Sequence, residues 1–190
     1  MKPFLLTVPF GLALAGCGSD AGAGDPAPGF DRVQRKIDAR DKSNATPTLR
    51  LALRAPDRKD RVVHPEAEWR QILGPERYAI LREGGTEKPF TSPLLKEHEK
   101  GVFLCEGCGN RVFRSDAKFD SGTGWPSFVR PATTDAVWYR SDAADGIART
   151  EVRCAKCDGH LGHAFADGPI DRGGLRYCID GAALVFKRGG

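Results

Sequence analysis

The sequence predicts a twisted antiparallel β domain preceded by short helices. Short runs of β-branched and aromatic residues recur from Val102 to Phe186, punctuated by Gly, Asn, Asp and Ser. No long segment of helical period follows about Leu95. The chain holds 23 glycines and 13 prolines in 190 residues, a turn-rich balance that suits sheets better than a helical bundle.

The length allows one domain with a real core plus a tail. The net charge of +4 is a mild excess in a mixed surface, so no nucleic-acid partner is expected. Residues 1–16 open with Lys2 and an apolar run broken by Pro9. The run is shorter than the about 20 apolar residues a membrane span needs, but suits a signal peptide. It ends in Leu14-Ala15-Gly16-Cys17, which resembles a bacterial lipobox. That resemblance implies cleavage before Cys17 and lipid on its thiol and new amino group. The chain would then be exported and anchored through lipid to a bacterial membrane, on the periplasmic side.

Residues 17–61 read as a tether. Gly18 to Gly29 mixes Gly, Ala, Asp and Pro and buries little. Phe30 to Arg61 is densely charged, with Val33 and Ile37 on one helical face and Leu49, Leu51 and Leu53 alternating like a strand. The folded domain spans 62–190. Pro65 and the acids Glu66 and Glu68 start a helix that carries Trp69, Ile72 and Leu73 and stops at Gly74. Pro75 opens a second helix, with Tyr78 and Leu81 on one face and Gly84-Gly85 as its stop. Strands are expected at Val102–Leu104, Arg111–Arg114, Val137–Arg140, Ile147–Val152, Leu175–Ile179 and Ala183–Phe186.

Six cysteines need accounting. Cys105/Cys108 and Cys154/Cys157 are two C-x-x-C pairs, which argue for one tetrahedral zinc. Four thiolates leave no open position, so the metal is structural and cross-links two distant turns. A disulfide-exchange role for one pair predicts thiols open to alkylation. Cys178 is then left over in the domain. On a strand it shares a face with Arg176 and Asp180, and a guanidinium beside a thiol favours the thiolate. A buried core cysteine is the plain alternative. Trp125, in the glycine-rich loop Phe119 to Phe128, is either a packed loop residue or an aromatic wall for an apolar or methyl-bearing ligand. His160, His163 and Asp167 follow the second pair directly. The cysteines already saturate zinc, which leaves the histidines free for substrate binding or proton transfer.

Together the C-x-x-C pairs, Gly85 to Phe90, Lys118 to Phe128, His160 to Pro169 and Arg176 to Ile179 resemble the B-type methionine sulfoxide reductases, in the same order throughout. The resemblance implies two antiparallel sheets in a tent-like arrangement and reduction of the R epimer of methionine sulfoxide, free or in oxidised proteins. It implies Cys178 as nucleophile and Trp125 against the substrate methyl. His160, His163, Asp167 and Arg176 would form the polar network around the sulfoxide oxygen. A thioredoxin-like or other thiol would supply electrons, and the enzyme is expected to be a monomer. Two departures stand out. Thr123 occupies the place where many members have a resolving cysteine, so a single-cysteine cycle with an external thiol is expected. Asp180 stands where asparagine is common, and its charge opposes thiolate formation. The competing reading is a non-catalytic zinc-binding recognition module on the same scaffold.

Overall fold

A computed structural model describes residues 55–143 and 148–189, besides Arg32 and Arg35, which are helical. The expectations for 1–16, Cys17, Val33, Ile37, Leu49 to Leu53 and Ile147 lie outside the described residues.

The chain enters at the second C-x-x-C turn, where the Val62 amide donates to the Lys156 carbonyl at 3.0 Å. Helix α1, Glu66–Leu81, follows without a break in its assignment. Gly74 nonetheless sits at φ 68°, ψ 173°, outside helical geometry, and Pro75 restarts the helix. The two predicted helices are therefore the two arms of one kinked element. Trp69, Leu73, Tyr78, Ile80 and Leu81 bury one side of it.

Nine strands follow among the described residues: β1 Gly101–Cys105, β2 Arg111–Arg114, β3 Lys118–Phe119, β4 Ser127–Phe128, β5 Val137–Asp142, β6 Arg149–Cys154, β7 His160–Phe165, β8 Arg176–Ile179 and β9 Leu184–Arg188. They form two antiparallel sheets, of order β2-β1-β9 and β3-β4-β8-β7-β6-β5. The sheets meet through aromatic residues. Phe113 of the small sheet stacks on Phe128 of the large one at 4.4 Å, and Phe103 meets Phe128 edge-on at 4.9 Å. All three rings are fully buried, and each such burial contributes about 1.5–3 kcal/mol.

The large sheet sorts its side chains by face. Directly paired residues project to the same side, so the register identifies each face. One face holds Val137, Tyr139, Val152, Cys154, Ala164, Tyr177 and Phe128, all buried in the core. The other carries Arg140, Asp142, Arg149, Glu151, Arg153, His163, Phe165, Arg176, Cys178 and Ser127. A face with that much charge is either wet or functional.

Strand β7 was not among the strands expected from the sequence. It also breaks the alternation. Arg153 pairs with His160 but Val152 pairs with Gly162, so Leu161 is an extra residue on β7. Gly162 takes φ 142° there, and a Cβ on it would lie 2.1 Å from the Cys178 carbonyl oxygen. Only glycine lets β7 lie this close to β8 at that point.

Candidate active site and metal knot

The four paired cysteines converge on one point. Their sulfurs all lie within 4.8 Å of one another, with Cys105–Cys157 and Cys108–Cys154 each at 3.6 Å. Four thiolates around one tetrahedral zinc stand roughly 3.8 Å apart. Four thiolates this close with no cation between them would repel, so the donor set fits zinc. The turns are held locally. Gly109 and Asp158 donate their amides back to the Cys105 and Cys154 carbonyls at 2.8 and 2.9 Å. The Asn110 side-chain amide reaches the Cys154 sulfur at 3.5 Å. Arg82, just past α1, donates to the Cys157 carbonyl at 2.9 Å while its guanidinium lies over Trp69. The helix is thereby fastened to the knot.

Cys178 lies elsewhere, on the polar face of the large sheet. It is half-buried in a cavity of about 130 Å³ lined by Thr86, Trp125, Arg149, Gly162, His163, Phe165 and Asp180. That volume admits the end of one side chain, well below a drug-sized site. His163 of β7 pairs directly across from Cys178, and Ser127 of β4 pairs with it from the other side. Trp125 forms part of the wall, and its indole N–H donates to the Glu87 carbonyl at 3.2 Å. Glu87 in turn accepts from the Gly181 and Ala182 amides, so the loop before the 3-10 turn at Pro93–Lys96 is pinned beside the end of β8.

The electrostatics divide the two histidines. His163 offers Nε2 to Asp142 at 2.7 Å, with Arg149 pairing the same carboxylate at 3.3 Å. Burial, aided by His160 and Arg149, holds its pKa below the ordinary value against the pull of Asp142, which favours the uncharged imidazole. His160 does not line the cavity. It is 2% exposed, with Nδ1 at 2.8 Å from Glu151 and Nε2 at 3.6 Å from Asp180. Burial pushes its pKa down, but Asp180 and Glu151 outweigh that and raise it. Burial likewise pushes Glu151 up, yet His160, Arg153 and Arg140 bring its carboxyl down to about 2.

The thiol itself departs from expectation. Arg176 shares its face and does favour the thiolate, as does Thr123. Burial outweighs them, and Asp180 adds to it, so the Cys178 pKa is raised rather than lowered. Arg176 has other attachments. It makes a two-pronged pair with Asp167 at 3.0 and 2.9 Å and lies over the Phe165 ring at 4.3 Å. Asp167 is largely exposed and away from the cavity lining, and it meets the site through Arg176.

The structure therefore brings Trp125, His163 and Asp180 around Cys178, places Arg176 beside them, and sets His160 and Asp167 one layer back. Sequence reasoning missed Thr86, Asp142, Arg149, Glu151 and Phe165. Thr86 and Phe165 lay within the motifs Gly85 to Phe90 and His160 to Pro169 without being singled out, and Arg149 and Glu151 alternated as charged residues in an expected strand, a pattern that ordinarily marks a solvated face.

Fold and site together define a metal-stapled β domain that carries one separate thiol in a pocket. The chain belongs to the SelR-domain family, whose model matches residues 73–188. It is similar to the peptide methionine sulfoxide reductase MsrB of Bradyrhizobium diazoefficiens, 53% identical over 128 residues, 67% of this chain and 91% of that protein. The protein of the same name from Agrobacterium fabrum is 52% identical over 122 residues, 64% of this chain and 90% of that one. The one from Leptospira interrogans is 48% identical over 123 residues, 65% and 93% respectively.

Proposed function

We propose that this chain reduces methionine-R-sulfoxide to methionine, with Cys178 as the nucleophile. The observation that carries this is the separation of thiols. Among the described residues, four cysteines are gathered in the knot, while Cys178 alone faces a cavity sized for a side-chain end. Sulfur of Cys178 attacks the sulfoxide sulfur, the S–O bond breaks once its oxygen is protonated, and the water so released attacks the Cys178 sulfur, breaking the new S–S bond and giving back the proton. Cys178 leaves as a sulfenic acid and the substrate as the thioether: thiol plus sulfoxide gives sulfenic acid plus sulfide. An external thiol then attacks the sulfenic acid, releasing water and leaving a mixed disulfide, which a second thiol resolves to regenerate Cys178. Two electrons reach the substrate per turn. Trp125 and Phe165 provide apolar wall, and His163, Arg149 and Asp180 the polar wall, which is what distinguishing the two hands of a sulfoxide requires. Zinc in the knot holds the scaffold and takes no step in the chemistry.

Replacing Cys178 by serine is expected to remove methionine-R-sulfoxide reduction with zinc content unchanged. Activity surviving that substitution overturns the mechanism. Mass spectrometry of enzyme oxidised by substrate without reductant is expected to find sulfenic acid at Cys178. An intramolecular disulfide there would sink the single-cysteine cycle. A zinc-binding recognition module accounts for the knot and leaves the Cys178 cavity without purpose.

The sequence Leu14 to Cys17 further supports a lipid anchor at Cys17 to a bacterial membrane, on the periplasmic side; a monomer and a thioredoxin-like or other thiol reductant complete the proposal. Metabolic labelling with a radioactive fatty acid checks this: label is expected in the wild type and absent from Cys17→Ala. No helix of the described residues is long and apolar enough to cross a membrane.

A further inference from the structure

The loop over Cys178 holds three hydroxyls in a row. Thr123 Oγ1 lies 3.7 Å from the Cys178 sulfur, Ser121 Oγ 2.8 Å from Thr123 Oγ1, and Ser127 Oγ 2.7 Å from Ser121 Oγ. The row ends on the backbone, where Ser127 donates to the Trp125 carbonyl at 3.1 Å. Each hydroxyl has a single proton, so this last bond orients the whole row. Ser127 has given its proton to the carbonyl and must accept from Ser121. Ser121 must then accept from Thr123, and Thr123 must accept from the thiol S–H. The row therefore points away from sulfur and matches a protonated Cys178.

We propose that these hydroxyls form a reversible chain that sets the readiness of Cys178 to ionise, with Ser127 and the Trp125 carbonyl as its resting anchor. When the thiol proton leaves through the pocket, each hydroxyl turns. Thr123 donates to the thiolate, Ser121 to Thr123, and Ser127 to Ser121. The reversed row gains a bond to charged sulfur and gives up the S–H bond and the bond to the Trp125 carbonyl. No proton crosses from one group to the next. Thr123 thus gains a positioning role.

The inference rests on the reading of Cys178 as the nucleophile, but its test needs no turnover. The probe is iodoacetamide on the zinc-loaded full chain, with Cys178 alkylation followed against pH by peptide mass spectrometry. Thr123→Val is expected to lower the thiolate fraction at a given pH roughly tenfold, the order of one hydrogen bond to a charged group. Thr123→Ser is expected to restore it. Ser127→Ala is expected to act in the opposite direction, raising the thiolate fraction roughly fivefold, because reversal no longer costs the anchoring bond. In the Thr123→Val background the Ser127→Ala effect is expected to vanish, since it is transmitted through Thr123. Arg176, Asp180, His163 and Arg149 also face the sulfur, and they are the same in every variant.

Opposite signs separate the chain from simple loosening of the loop, which would move both variants alike. An unchanged or lowered thiolate fraction in Ser127→Ala overturns the proposal, as does an effect that persists in the double variant. Ser121→Ala frees Thr123 to turn without dislodging Ser127, carries the same sign, and serves if Ser127→Ala does not fold. Loss of methionine sulfoxide turnover with these alkylation shifts intact would count against the substrate and leave the chain standing.

Discussion

The metal knot and the Cys178 pocket are two uses of one side chain. In the knot, thiols sit within 4.8 Å of each other and are closed off by turns whose amides bond back to the Cys105 and Cys154 carbonyls. In the pocket, a single thiol faces open space with a hydroxyl at 3.7 Å. The knot is built locally, from residues three apart in two turns. The pocket is assembled from β7, β8, the 121–127 loop and the segment around Thr86 and Glu87, elements far apart in the chain. Each half of the knot closes locally and the metal joins the halves across 46 to 52 positions, whereas no part of the pocket is complete within one segment.

The largest effect expected across this comparison comes from breaking the knot. Cys154→Ser should remove the bound zinc and, with it, cooperative thermal melting, because a structural site contributes on the order of 10 kcal/mol to folding. Cys178→Ser should leave both untouched. Equal melting curves for the two variants would erase the distinction.

Next in size is Gly162→Ala. The new methyl would meet the Cys178 carbonyl at 2.1 Å and the Ile179 Cα at 2.9 Å. Overpacking of this kind costs about 1–3 kcal/mol, and the β7–β8 pairing should give way. A lowered melting temperature together with lost sulfoxide reduction and retained zinc is expected. Retained activity would show that the close approach does not shape the pocket.

The charged layer behind the pocket predicts a pH dependence. Glu151 falls from an ordinary 4.5 to about 2 in the fold, so its contribution is present above pH 4.5 and is lost as pH falls through about 2. His160, whose pKa is raised, contributes below its ordinary 6.5 and loses that contribution as pH rises through the raised value. The pair therefore stabilises most between the two limits. Melting temperature followed from pH 7 to pH 2 should drop on the acid side, and Glu151→Gln should flatten that drop while lowering stability at neutral pH.

The smallest effect belongs to Asp180→Asn. Asp180 opposes ionisation of Cys178, so its neutralisation should speed alkylation at neutral pH by a few-fold, the order of one partly screened charge. A slower reaction would mean that Asp180 acts chiefly through His160, whose charge it supports.

The sequence made the knot legible because ligand spacing within a turn is a local property. It made Cys178 legible by elimination, and the break at Gly74 legible through the Gly-Pro pair. Most strands were visible as short β-branched and aromatic runs. β7 was not, because His160-Leu161-Gly162-His163 has two polar rings and a glycine where alternation was sought. β3 and β4, two residues each, leave no pattern to see. Arg149, Asp142, Glu151 and Phe165 join the site only through cross-strand register, which no single segment encodes. The direction of the Cys178 shift was missed for the same reason. Arg176 two residues away is visible in sequence, whereas burial, the larger cause, is a property of the assembled sheet.

The extra residue on β7 makes the site a matter of counting. His160 and His163 are an odd number of positions apart, so on an ordinary strand one would look into the core and the other into the pocket layer. Leu161 restores parity, and both rings stand on one side, 5.3 Å apart. Removing a single residue from this stretch would change no chemical group in the pocket, yet it would turn one imidazole over. With His160 turned over, Glu151 would lose the ring it now bonds at 2.8 Å, and the carbonyl beside it would no longer meet the Asp180 amide that it now accepts from at 2.9 Å.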